Sequence, residues 1–291
     1  MAPVFGVGLV EAALVLFVLV ALPVLVLVSA GAMAGPRVAE PGRVVAARVA
    51  GALFGLLAAA WLVQDRYDWL SLGRGPMLAP VGFGIGVLLG VILGETLARP
   101  ASTTGVRTAS LAPRRVRDHA PQALAWVVAS LGLAAAAILA FTTVTASADD
   151  QGRAGRALTR TCLNAAGFES VNSRTPYPGS FYSVPLALGL LAALLLFAVS
   201  ARRVVLRPRG TTAGEEGDDV LRRRSVTAVL AALGIAIAAP LVGIAGTAGL
   251  ALTRHGCSTS WWNWLGVLML ICAAVCIPLL AWFSVRLLVR R

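Results

Sequence analysis

Seven long apolar runs dominate this sequence, at roughly residues 4–33, 44–64, 76–98, 122–147, 181–201, 225–253 and 263–286. About 20 mostly apolar residues suffice to cross a bilayer core as a helix. The runs lack the alternating period of barrel strands, and a backbone in hydrocarbon must satisfy its own hydrogen bonds. The sequence therefore predicts an all-α integral membrane protein, a polytopic bundle of seven transmembrane helices forming a single transmembrane domain over residues 1–291. The first run does not read as a cleavable signal peptide, because it lacks a basic leader and is too long.

Composition supports lipid as the solvent. The chain is 58% hydrophobic and only 13% charged, whereas soluble domains carry about 25% charged residues. Its net charge of +12 would raise nucleic-acid binding for a soluble protein. Here the basic residues sit in short runs beside apolar segments, which is a topology signal and argues against nucleic acid as a partner. All 25 basic residues are arginine. The absence of lysine excludes retinal chemistry, which needs a Schiff-base amine, and fits a high-GC bacterial coding sequence.

Orientation follows from the arginines. With the N-terminus outside and the C-terminus in the cytoplasm, the outer face keeps only Arg66, Arg74, Arg153, Arg156, Arg160, Arg174 and Arg254. The rest flank the cytoplasmic ends, as the positive-inside rule requires. Trp61, Tyr67, Trp69, Tyr177, Phe181, Tyr182, Trp261, Trp262 and Trp264 then gather near the outer interface, where amphipathic rings settle. The expected location is the plasma membrane, as a multi-pass protein of a bacterial cytoplasmic membrane. Residues 148–180 become a small extracellular cap loop and 202–224 a flexible cytoplasmic loop, Gly-rich and acidic between two arginine blocks. Within the cap, Asp149 or Asp150 is expected to open a short helix carrying Ala154, Leu158, Cys162 and Ala165 on one face, with Gly167 as its stop. Pro176-Tyr177-Pro178-Gly179 reads as a turn.

The cysteines fall into two kinds. Cys162 and Cys257 share the outer face, an oxidising compartment, and are expected to form a disulfide pinning two loops together. Cys272 and Cys276 are four apart on the last helix, and packing accounts for them better than a soft metal. Gly82, Gly86, Gly90 and Gly94 form a glycine face on the third run, suited to close helix approach, with Gly51 and Gly55 a candidate facing surface. Pro23, Pro240 and Pro278 interrupt the first, sixth and seventh runs and read as structural kinks.

Two carboxylates within the apolar runs are the candidate functional residues. Glu95 is four residues before Arg99 and suits an interfacial ion pair. Glu11 has no local partner and must be protonated, reach outward, or meet a cation such as Arg66, Arg74 or Arg254. Asp65, Asp68, Asp149, Asp150, Glu169 and His255 share the outer face without metal-ligand spacing, so a solvated polar rim is expected and no metal or cofactor. His119 and His255 fall on opposite faces. No nucleophile–base constellation or phosphate loop is present.

Three function classes fit these features. The first is a non-catalytic accessory or scaffold subunit of a membrane complex, with the bilayer and another membrane protein or a second copy as partners. The second is a small-solute or ion transporter using Glu11 and Glu95. The third is a membrane enzyme acting on envelope or lipid substrates at the outer face.

Overall fold

The computed structural model describes residues 42–64, 71–97, 116–163, 167–206, 214–254 and 260–288. Within them lie six helices long and apolar enough to cross a membrane: α1 (Gly42–Val63), α2 (Arg74–Leu97), α3 (Gln122–Thr145), α4 (Ser180–Val205), α5 (Gly214–Thr253) and α6 (Ser260–Leu288). The run at 4–33, with Glu11 and Pro23, is outside the described residues.

The bundle is built around α5. Every residue from Ala228 to Leu241 is buried, the run being Ala, Gly, Val, Leu and Ile up to Pro240. Small residues dominate because α2, α3, α4 and α6 all pack on this one helix and each needs a close approach. Outward faces of the other helices carry large apolar side chains, among them Leu57, Trp126, Leu133, Leu188 and Leu268, all exposed. That is the pattern of a surface solvated by acyl chains rather than water. Both α5 and α6 continue through the interior Pro240 and Pro278.

Gly82, Gly86, Gly90 and Gly94 of α2 pack within the chain, on α1. A Cβ added at Gly86 would collide with Gly55 Cα, and one at Gly51 with Gly90 Cα. One at Gly90 would lie 2.7 Å from Gly51 Cα, and one at Gly55 2.6 Å from Phe83 O. Gly82 meets the tip of Leu62 at 2.9 Å and Gly94 meets Val44 at 3.3 Å. A further α2 glycine, Gly84, faces α5 and lies against Ala236.

Two expectations about loops need correction. Residues 202–224 are not a loop throughout: α4 runs to Val205 and α5 begins at Gly214. The acidic sequence Glu215-Glu216-Gly217-Asp218-Asp219 stands at the positive end of the helix dipole, where acidic residues favour helix. At 40 residues, α5 is about 60 Å long, twice the hydrocarbon thickness of about 30 Å. The cap is also not helical. It holds an antiparallel hairpin of β1 (Leu158–Leu163) and β2 (Glu169–Arg174), paired from Leu158↔Arg174 to Leu163↔Glu169. Leu158 and Cys162 share a face at helical spacing and also at strand spacing, so their pattern favours neither. The β-branched Thr159, Thr161 and Val171 favour the strand. Gly167, expected to stop a helix, instead lies two residues before β2, at φ +81°.

Gly86→Leu should force α1 and α2 apart, because backbone rather than a flexible side chain faces it. Its thermal midpoint in mild detergent is expected to fall well below that of the parent. Gly42→Ala, which meets nothing within 4 Å among the described residues, should leave the midpoint unchanged.

Candidate functional site

Polar side chains concentrate at the two ends of the bundle. At the end holding the α1 N-terminus, Arg48 Nη2 lies 3.5 Å from Glu95 Oε1, with both side chains buried. Arg48 Nη1 also donates to the carbonyl of Leu287 near the end of α6, at 3.4 Å. A single guanidinium thus joins α1, α2 and α6. The partner proposed for Glu95 from spacing, Arg99, lies outside the described residues; the pair observed here is inter-helical. Arg48 falls inside an apolar run, and a charge at such a position is itself a signal that sequence reading should weigh. Nearby, Arg222 Nη1 donates to Val205 O at 2.9 Å, satisfying the end of α4. His119, just after a 3₁₀ turn at Val116–Asp118, reaches Asp219 of α5 at 3.5 Å.

The opposite end is closed by the hairpin cap. Asp149 organises the turn that leads into it, accepting from the backbone N–H of Gln151 at 3.1 Å and of Arg153 at 2.9 Å. Its other oxygen receives Arg153 Nε at 2.8 Å and Arg156 Nη1 at 2.7 Å. Burial works against the charge of Asp149, but these hydrogen bonds and the Arg153 charge outweigh it and hold the carboxyl below its usual value. Arg156 then reaches Tyr182 Oη and Leu72 O, each at 3.4 Å. Tyr182 donates to Leu72 O at 2.7 Å. Leu72 takes φ +61°, an uncommon conformation outside glycine. Phe181 carries two guanidinium groups on its ring, Arg74 at 3.7 Å and Arg156 at 4.9 Å, in cation–π geometry.

Tyr177 is fully buried, and its hydroxyl lies 2.7 Å from Thr145 Oγ1. Burial raises its pKa, against smaller opposing effects of Thr145 and Arg160. Arg160 of β1 lies 3.7 Å above the Trp262 ring of α6, and Arg174 of β2 donates to Arg254 O at 2.8 Å. The hairpin is thereby held against the ends of α5 and α6. Cys162 faces this side, in register with Ser170; Cys257 lies outside the described residues. Of the acidic rim, Asp65, Asp68 and His255 also lie outside them, and Asp149 is occupied by two arginines. Among the described residues no cluster of three or more His, Cys, Asp or Glu is placed to hold a metal. Cys272 and Cys276 are free thiols on α6, the latter buried.

Hydroxyls within the helices bond to their own turn. Ser130, Thr143, Ser200, Thr247 and Ser284 each reach the carbonyl four residues back, the usual way to place a hydroxyl in an apolar span. Thr143 also meets Ser183 of α4 at 2.6 Å. Compared with known proteins, the chain matches no family model, no curated protein and no solved structure.

Arg48→Leu should destabilise the bundle by about 3–5 kcal/mol, the usual cost of stranding a buried charge. The double variant Arg48→Leu/Glu95→Leu should recover most of this in denaturant unfolding. For Asp149 the depressed folded pKa gives stability that is fully present above the ordinary aspartate value of 3.8 and lost as pH falls through the lower folded value. Asp149→Asn should therefore raise hydrogen exchange across 149–163 at neutral pH and flatten the acid dependence seen in the parent below about pH 4.

Proposed function

We propose that this chain is a non-catalytic accessory or scaffold subunit of a plasma-membrane complex in a bacterium. In this reading it crosses the membrane seven times, N-terminus outside and C-terminus in the cytoplasm, with the hairpin cap outside. One observation carries it: Glu95, the intramembrane carboxylate among the described residues, is engaged by Arg48 in a contact that also ties α6. A carboxylate held this way serves assembly of three helices rather than passage of an ion. The hydroxyls of the spans, bonded to their own turns, and the close-packed small residues of α5 support the same reading. A disulfide between Cys162 and Cys257 belongs to this reading, supported by Cys272 and Cys276 being free among the four cysteines of the sequence.

Affinity purification in gentle detergent from native membranes, with mass spectrometry of what remains bound, tests the function. Stoichiometric recovery of another membrane protein is the expected result. Recovery of the chain alone, together with an ion- or pH-dependent flux in liposomes that Glu11→Gln abolishes, would replace this reading with transport. Non-reducing peptide mapping should recover Cys162 and Cys257 as one cross-linked pair; two free thiols would remove the outer placement of the cap.

A further inference from the structure

Among the described residues, the central helix is enclosed on all sides along one half and on only part of its circumference along the other. Burial is continuous from Ala228 to Leu241, but Val242, Gly243, Gly246, Thr247 and Leu250 are only half-buried. Among the described residues nothing lies within 4 Å of a Cβ placed at Gly243 or Gly246. At about 100° per residue, α5 turns Gly234 and Gly249 towards α6, where they meet Phe283 and Leu270. Ala236 faces Gly84 of α2, and Ile237 faces Gly132 of α3. Gly243, Gly246 and Leu250 then fall in the sector between the α6 and α2 sides. Among the described residues, this leaves an uncovered strip on the second half of α5, at the capped end.

Lipid is a poor occupant for such a surface. Faces that meet acyl chains in this protein carry leucine, tryptophan and phenylalanine, as at Leu53, Phe54, Leu57 and Trp61 of α1. Paired glycines flanked by a threonine are what helix–helix contacts in membranes use. The chain itself supplies a helix-length apolar segment, residues 4–33, joined to α1 by residues 34–41. Eight residues reach at most about 28 Å, and so short a connection joins antiparallel neighbours. The tether starts at the right place: α1 begins near α6, six residues before Arg48, whose guanidinium bonds Leu287 O at 3.4 Å.

We propose that residues 4–33 seat as a helix on this strip between the α2 and α6 sides, antiparallel to α1, against Gly243, Gly246 and Thr247. The seat brings the half of the segment that contains Glu11 to the second half of α5. This deepens the seven-span reading and rests on it.

Cysteine cross-linking of the full chain in its native membrane tests the seat, in a Cys272→Ala/Cys276→Ala background. Gly246→Cys, with Gly243→Cys as a second anchor, is paired in turn with a cysteine at each of positions 12–22. Intramolecular cross-links recurring every three to four positions are expected. The proposal is overturned if no position cross-links while the α3–α5 control pair Gly132→Cys/Ile237→Cys does, as a lipid-covered strip would give. It is equally overturned if the anchors cross-link to another polypeptide, which would make the strip a partner's site. A separate arm checks the underlying topology: Pro3→Cys should react with a membrane-impermeant maleimide from outside. Failure of that labelling removes the seven-span reading; labelling without cross-links removes the seat alone.

Discussion

In hydrocarbon, apolar side chains gain nothing by leaving the solvent for each other, so helices come together only where packing is closer than lipid can achieve. Everything in this bundle depends on that constraint. Gly51 and Gly55 of α1 meet Gly86 and Gly90 of α2 at backbone contact. Gly84 brings α2 onto Ala236 of α5, Gly234 admits the ring of Phe283, and Gly249 and Gly266 face each other between α5 and α6. These contacts form a chain from α1 to α6 through α5, and the central helix is consequently made of residues no larger than leucine or isoleucine along its buried half.

Arginine does the complementary work at the ends. A helix leaves its last carbonyls without intrahelical partners, and in this protein guanidinium groups from other elements supply them. Arg48 serves α6 through Leu287, Arg222 serves α4 through Val205, and Arg174 of the hairpin serves α5 through Arg254. The fork of a guanidinium lets one residue bond two partners at once, as Arg48 does with Glu95 and Arg156 does with Asp149, Tyr182 and Leu72. A lysine in these places would deliver a point charge without the planar reach, so the all-arginine complement has a structural use beyond topology.

Where sequence reading departed from the structure, the reasons lie in ambiguous local patterns and in long-range partners. Leu158 and Cys162 share a face in either secondary structure, so the cap's hairpin was not legible from apolar spacing; the threonines and Val171 were the available hint. Glu95 also meets Arg48, 47 residues away, on a helix whose register against α2 is fixed by glycines, and no local spacing shows that contact. That Tyr177 is enclosed over Thr145 was not legible either, because only the folded cap buries it. The acidic start of α5 reads as a loop by composition and as a helix start by charge; the second reading is the one that matches.

The sequence by itself determined that this is a helical membrane protein, where its described spans lie to within a few residues apart from the start of α5, and that α2 offers a glycine face. Those features are local: apolar length, arginine flanks and a four-residue repeat are complete within single segments. Only the tertiary structure decided which helix takes the centre, which surface meets the glycines, and which arginine meets which carboxylate or carbonyl. Those outcomes depend on distances between segments far apart in the chain, and no local pattern encodes a distance.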